Sequence, residues 1–250
     1  MSVAPGRAAR AARQRVAPIP RDQGESAFSP ILIDLVSRMP GARAAALVDM
    51  EGETVDYAGR STPYEVRLAA AHWRIVLQRT QEQPSLSGTR TLAIRAARRS
   101  FVLYALPQSY ALVLVLSCGA GLASWRRALP ACARRLAKEA DWVQPDWASW
   151  YPVDVTCDER RRPTAVQIAG VALPLEILGA LAGGLARDER GWRVRCDKEE
   201  ATLVREPGGF WYSEEPILGE ERPARAPGPP SPPGPPGESA PKETLTRSAR

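Results

Sequence analysis

Apolar residues follow two rhythms along this chain, and the switches between them predict a series of helices and strands. Over Pro30–Met39, Ile31, Leu32, Leu35, Val36 and Met39 recur at helical spacing, with Ser29 placed to cap and Pro30 at the first helical position. Pro40-Gly41 ends that helix. Arg43–Asp49 and Glu53–Tyr57 then read as two short strands joined by a Gly52-containing turn. Helical spacing returns over Thr62–Glu82, where Val66, Ala69, Ala70, Trp73, Val76 and Leu77 form one stripe and Glu65, Arg67, Arg74, Gln78 and Arg79 lie opposite. Three strands are expected next, at Thr89–Ala96, Ser100–Leu106 and Tyr110–Cys118. The last is apolar at nearly every position and belongs in the middle of a sheet covered on both faces. After Gly119-Ala120-Gly121, Leu122, Trp125, Leu129, Cys132 and Leu136 predict a third helix that Pro130 should kink or divide, with Arg126, Arg127, Arg134, Arg135 and Lys138 on its other side. The order over residues 28–142 is αββαβββα, an α/β (α+β) fold with five strands and helices able to cover both faces.

Residues 143–150 read as a linker that packs by its tryptophans, and a second unit occupies residues 151–218. Val153–Cys157, Thr164–Ile168, Trp192–Cys196, Ala201–Arg205 and Phe210–Tyr212 are strand-like, while Leu175–Leu185 has the spacing of a short helix ended by Gly183-Gly184. A small α+β domain is expected. Residues 1–27 and 219–250 read as disordered tails, the first basic and the second rich in proline. The spacings Pro227/Pro230, Pro230/Pro233 and Pro233/Pro236 in the second tail also fit a ligand of proline-reading modules.

Composition narrows the function classes. A hydrophobic fraction of 44% with 25% charged residues suits folded globular protein. The net charge of +6 invites nucleic acid, but it is spread along the chain, and residues 143–218, with nine basic and thirteen acidic residues, are net acidic. Arginine far outnumbers lysine, as coding in a GC-rich genome produces, so arginine abundance is weak evidence for a site. Cys118, Cys132, Cys157 and Cys196 have no C-x-x-C spacing and are too sparse for a disulfide scaffold, which suits a reducing cytoplasm. His72 is the single histidine, so neither a zinc site nor a serine-histidine-aspartate centre is expected. No catalytic residue, metal or other cofactor is assigned. The N-terminus lacks the apolar run of a secretory signal, although its arginines and early lack of acids also fit an organelle transit peptide. Ser100–Trp125 is uncharged and long enough to cross a bilayer, but Pro107-Gln108-Ser109 interrupts it and favours a strand hairpin.

Residues 28–142 resemble the roadblock (dynein light chain) family. The resemblance rests on the initial helix, Pro40-Gly41 leading into Leu47-Val48-Asp49, the Glu51-Gly52 turn, the long Ala-rich second helix, three strands and a closing helix. It implies a roadblock/profilin-like five-stranded antiparallel sheet with the first and third helices on one face and the second on the other. It further implies a homodimer joined edge to edge through the strand Thr89–Ala96, with Thr91, Leu92, Ala93 and Ile94 at the pairing edge. The second helix would then be the platform for a Ras-like small GTPase, as in the bacterial GTPase-activating partner of the gliding-motility GTPase.

Physical chemistry supports that placement independently. An alternating edge strand is an aggregation liability unless it is capped, and a symmetry mate caps it. Tyr64, Leu68 and Ile75 lie outside the main stripe of the second helix, so both of its faces are expected to be buried; together with Arg67 and Arg79 they form the candidate partner surface. Arg67, Arg74 and Arg79 can be read as inserted fingers or as solvated helix-face residues. The family does not as a rule work by an inserted arginine, so the solvated reading is preferred. The favoured function is a cytoplasmic homodimeric regulator or scaffold for a bacterial Ras-like GTPase, without catalytic residues of its own. One alternative is an architectural dimer that recruits other partners through the second domain and the Pro-rich tail. Another is nucleic-acid binding through Arg126, Arg127, Arg134 and Arg135, or through bases stacked on the aromatics of the second domain.

Overall fold

The computed structural model describes residues 21–120, 125–145, 149–168 and 170–217. The Pro-rich tail, most of the basic tail, Leu122, Trp147 and the side chain of Trp125 lie outside the described residues. The first unit runs α1 (Ser29–Arg38), β1 (Ala42–Val48), β2 (Thr54–Gly59), α2 (Pro63–Glu82), β3 (Thr91–Arg95), β4 (Arg99–Ala105), β5 (Ala111–Ser117) and α3 (Trp125–Glu139). Its strands pair antiparallel in the order β2-β1-β5-β4-β3, which puts the uniformly apolar β5 in the middle. Side chains alternate across a strand, and β5 divides accordingly. Leu112, Leu114 and Leu116 pack with Ile31, Leu32, Leu35, Leu129 and Leu136 of α1 and α3. Val113 and Val115 pack with Val66, Ala70 and Leu77 of α2. This is the αββαβββα architecture expected over residues 28–142, with α1 and α3 on one face and α2 on the other.

Local signals explain most boundaries and also the departures from expectation. Thr62 and Glu65 form a reciprocal capping box at the start of α2, with Pro63 in the first turn. Ser29 is not the cap of α1. Phe28 holds that position, and the Ser29 hydroxyl donates instead to the buried Asp56 carboxylate at 2.6 Å, because an ionised carboxylate taken from water needs donors more than a helix end does. Pro130 neither ends nor divides α3; it stands in the second turn, where it forfeits one backbone bond to Arg126. Ser100–Ser117 is strand and turn, and among the described residues no helix is long and apolar enough to cross a membrane.

The second unit departs from the α+β expectation. It comprises β6 (Tyr151–Cys157), β7 (Pro163–Ile168), β8 (Val171–Ala180), β9 (Arg190–Cys196), β10 (Glu199–Arg205) and β11 (Trp211–Ser213), closed as a barrel in the order β10-β11-β6-β7-β8-β9. Residues 175–180, expected as helix, belong to β8. The Leu-Glu-Ile-Leu run satisfies helical spacing, but pairing with β7 and β9 on either side decides the outcome. The register shift between Ile177 and Gly179 absorbs one extra residue as a bulge. Val166, Val194, Leu203 and the stacked pair Trp192–Trp211 fill the barrel interior, so these aromatics form a core rather than a base-stacking surface.

Candidate partner interface

A partner could approach the five-stranded sheet at either of its two edges or on either of its two helical faces. The α1/α3 face is taken by the barrel of the same chain. Tyr212 of β11 is fully buried in the α1/α3 core, with Trp150 and Phe210 packed beside it. Arg38 of α1 is held by Asp34 at 2.8 Å and lies over the rings of Phe210 and Tyr212, while Arg134 lies over Tyr151 at 4.2 Å. At the centre, Arg127 of α3 is buried against two barrel acids, Glu189 at 2.6 Å and Glu206 at 3.8 Å, with its guanidinium 4.6 Å over Trp150. Arg127 and Arg134, expected opposite the apolar stripe of the third helix and weighed there for nucleic-acid binding, are therefore docking residues. A fixed planar cation can satisfy a carboxylate and stack on an aromatic ring at once. Burial pushes the Glu206 carboxyl up to about 7; Arg127 opposes that rise and Glu189 adds to it.

The β2 edge is covered as well. Residues 21–27, expected in the basic tail, lie along β2. Arg21 donates to the Tyr57 carbonyl at 2.5 Å and pairs with Asp56, and Gln23 donates to the Val55 carbonyl at 3.3 Å. Asp56 anchors this brace. Burial works against its ionised form, but hydrogen bonds from Ser26, Ser29, Arg21 and the Tyr57 backbone outweigh it and hold the carboxyl below the ordinary range. Sequence reasoning missed Asp56. Its signal was an acid at a core-facing position of β2, in phase with the buried Ala58.

What remains open is the outward face of α2 and the β3 edge. Tyr64, Leu68 and Ile75 stand 74%, 57% and 48% exposed along one side of α2. Their spacing of four and seven residues, with Ala71 between, makes a continuous stripe on a helix. Among the described residues β3 pairs with β4 alone. Leu92 and Ile94 face the α2 side and pack against the core that contains Trp73 and Phe101, while Ala93 is exposed and Thr91 half-buried. The apolar side of the edge strand thus continues toward the α2 platform.

The three arginines of α2 have three different fates. Arg67 is fixed in a bidentate pair with Asp22 at 2.7 and 2.9 Å. Arg74 is neither a finger nor solvated. It is buried, donating to the Asp49 carbonyl at 3.1 Å and the Ser109 carbonyl at 2.9 Å, and so ties the β1–β2 turn to the turn before β5. Arg79 is exposed, without an ion-pair partner among the described residues. His72 is exposed and stands edge-on to Trp73. Among the described residues no cluster of three or more histidine, cysteine or acidic side chains is placed to hold a metal.

No protein-family model matches the chain, and no curated protein matches it. Solved structures similar to it include Myxococcus xanthus MglB, at 16% identity with a TM-score of 0.42, covering 48% of this chain and 98% of that one. The gliding protein MglB from Thermus thermophilus is similar at 18% identity and a TM-score of 0.41, over 50% of this chain and 97% of that one. A Roadblock/LC7 domain from Streptomyces avermitilis is similar at 13% identity and a TM-score of 0.40, over 45% and 97%.

Proposed function

We propose that this chain is a homodimeric regulator or scaffold that binds a Ras-like small GTPase through the outward face of α2. Thr91, Leu92, Ala93 and Ile94 of β3 pair with the same strand of a second copy, which satisfies the unpaired backbone groups of the edge. The observation that carries this reading is the contrast in coverage: the α1/α3 face and the β2 edge are closed by the chain itself, whereas Tyr64, Leu68 and Ile75 stand in the open. Full burial of side chains of this size contributes about 1.5–3 kcal/mol each toward association.

The chain acts by positioning rather than by donating a catalytic group. Arg67 is committed to Asp22 and Arg74 to two carbonyls, so neither is free to enter a nucleotide site. Arg79, at the far end of the stripe, supplies a cation for an acidic rim on the partner. A regulator of this kind holds the switch groups of the GTPase in place instead of completing its active site.

The test is binding and single-turnover GTP hydrolysis with the cognate Ras-like GTPase, using wild-type chain and Leu68→Asp. Wild-type chain is expected to bind the GTP-loaded form and Leu68→Asp to lose at least tenfold in affinity. Equal binding by the two would remove α2 from the interface, and absence of binding by the wild type would end the GTPase assignment.

A further inference from the structure

One end of the barrel carries a cavity of about 630 Å³ that the partner surface does not use. It lies between the turn joining β6 to β7 and the loop joining β8 to β9, with Ile177, Leu181, Leu185 and the edge of Trp192 as its apolar wall. Its volume is in the range of small-molecule sites, roughly 300–1,000 Å³. Leu181 reaches over the wall because residue 191 is glycine; a Cβ there would overlap Leu181 Cδ1.

Three arginines from two separate segments line this cavity beside its apolar wall, Arg160 and Arg162 from the β6–β7 turn and Arg190 from the start of β9, and the Glu189 carboxylate lines it as well. None of the three guanidinium groups has a carboxylate partner among the described residues. The contrast with the same barrel is direct, since Arg193 and Arg195 on β9 are paired with Glu200 and Glu176. The nearby acids are committed elsewhere. Asp158 accepts from the Arg162 backbone, and Glu189 gives one oxygen to Arg127 and the other to the Ala186 amide. Three like charges around an apolar wall repel one another, and an anion seated among them relieves the repulsion.

We propose that this cavity binds a free amphiphilic anion, an alkyl or similarly apolar body that ends in a carboxylate or phosphate. The head group sits among Arg160, Arg162 and Arg190, and the body covers Ile177 and Leu185. A nucleic acid does not fit the same features. Trp192 is 8% exposed and stacked on Trp211, so it offers no open ring face to a base, and residues 143–218 are net acidic.

The experiment is calorimetric titration of the full-length protein with decanoate and with decyl phosphate, both below their micellar thresholds, against decanol and inorganic phosphate. One molecule of either amphiphile is expected per chain, with decanol and inorganic phosphate at least tenfold weaker. The double variant Arg160→Ala/Arg162→Ala should weaken the amphiphiles about tenfold or more, in keeping with loss of charge-assisted hydrogen bonds. Both substitutions are at exposed positions, so an unchanged melting curve will show that the fold persists. Decanol binding as tightly as decanoate, inorganic phosphate binding as tightly as decyl phosphate, or an arginine double variant with unaltered affinity would each overturn the proposal. So would adsorption to phosphatidic acid vesicles with no uptake of the soluble amphiphiles.

Discussion

Replacing Glu206 by glutamine tests whether the docking of the two units is linked to a buried proton. The Glu206 carboxyl is pushed from 4.5 to about 7 by burial beside Glu189, against the attraction of Arg127, and its Oε1 accepts no hydrogen bond from the described residues. A group whose folded pKa is raised holds its proton more tightly in the native state. Its contribution to stability is therefore fully present below about pH 4.5 and is lost as pH rises through about 7. A rise of this size corresponds to roughly 3 kcal/mol. Urea unfolding at pH 5 and pH 8, followed by tryptophan emission, measures it, and comparison with Glu206→Gln cancels every other titrating group. Wild-type stability should fall by about 2.5 kcal/mol more than that of the variant between the two pH values. Identical pH responses would mean that Glu206 is ionised throughout and that burial does not hold its proton.

Further outcomes follow from the same geometry. Arg127→Met leaves Glu189 and Glu206 buried without their cation, so unfolding at pH 8 should show a loss of about 3–5 kcal/mol, and a smaller loss at pH 5 where Glu206 is protonated. Asp56→Ala removes the acceptor shared by Ser26, Ser29 and Arg21; limited proteolysis should then cut within residues 21–27 and urea unfolding should show a loss of ~3 kcal/mol or more. Gly59→Ala drives a Cβ into the Arg43 carbonyl oxygen at a backbone φ of +125°, and should cost more than ~2 kcal/mol. Gly191→Ala, which meets the Leu181 side chain rather than backbone, should cost less in the same melting assay.

The elements legible in the sequence were those where periodicity and capping agree. α2 carries its own stop and start signals in Thr62, Pro63, Glu65 and Pro84, and β5 announces a central strand by lacking any polar alternation. β8 was misread because a run of leucines with a bulge satisfies both helical and strand spacing, and only pairing with β7 and β9 separates the two. The candidate stripe Tyr64, Leu68 and Ile75 could be named from spacing alone, since apolar residues off the core stripe are visible in a helical projection. The roles of the arginines could not. Arg67, Arg74 and Arg127 look alike in sequence, yet one meets Asp22 from 45 residues away, one meets two turn carbonyls and one is buried by the other unit. Asp56 was missed for the same reason: its partners arrive from a segment whose composition reads as a tail.

Self-association through the open β3 edge underlies the proposed role, and the mass of the particle in solution reports on it without any partner. Size-exclusion chromatography with light scattering should give twice the 27.2 kDa chain mass for the wild type. The Ala93→Lys variant, altered at an exposed position of the edge strand, should give the single-chain mass with an unchanged circular dichroism spectrum. A wild-type monomer, or a dimer that Ala93→Lys leaves intact, would show that the β3 edge does not join two copies.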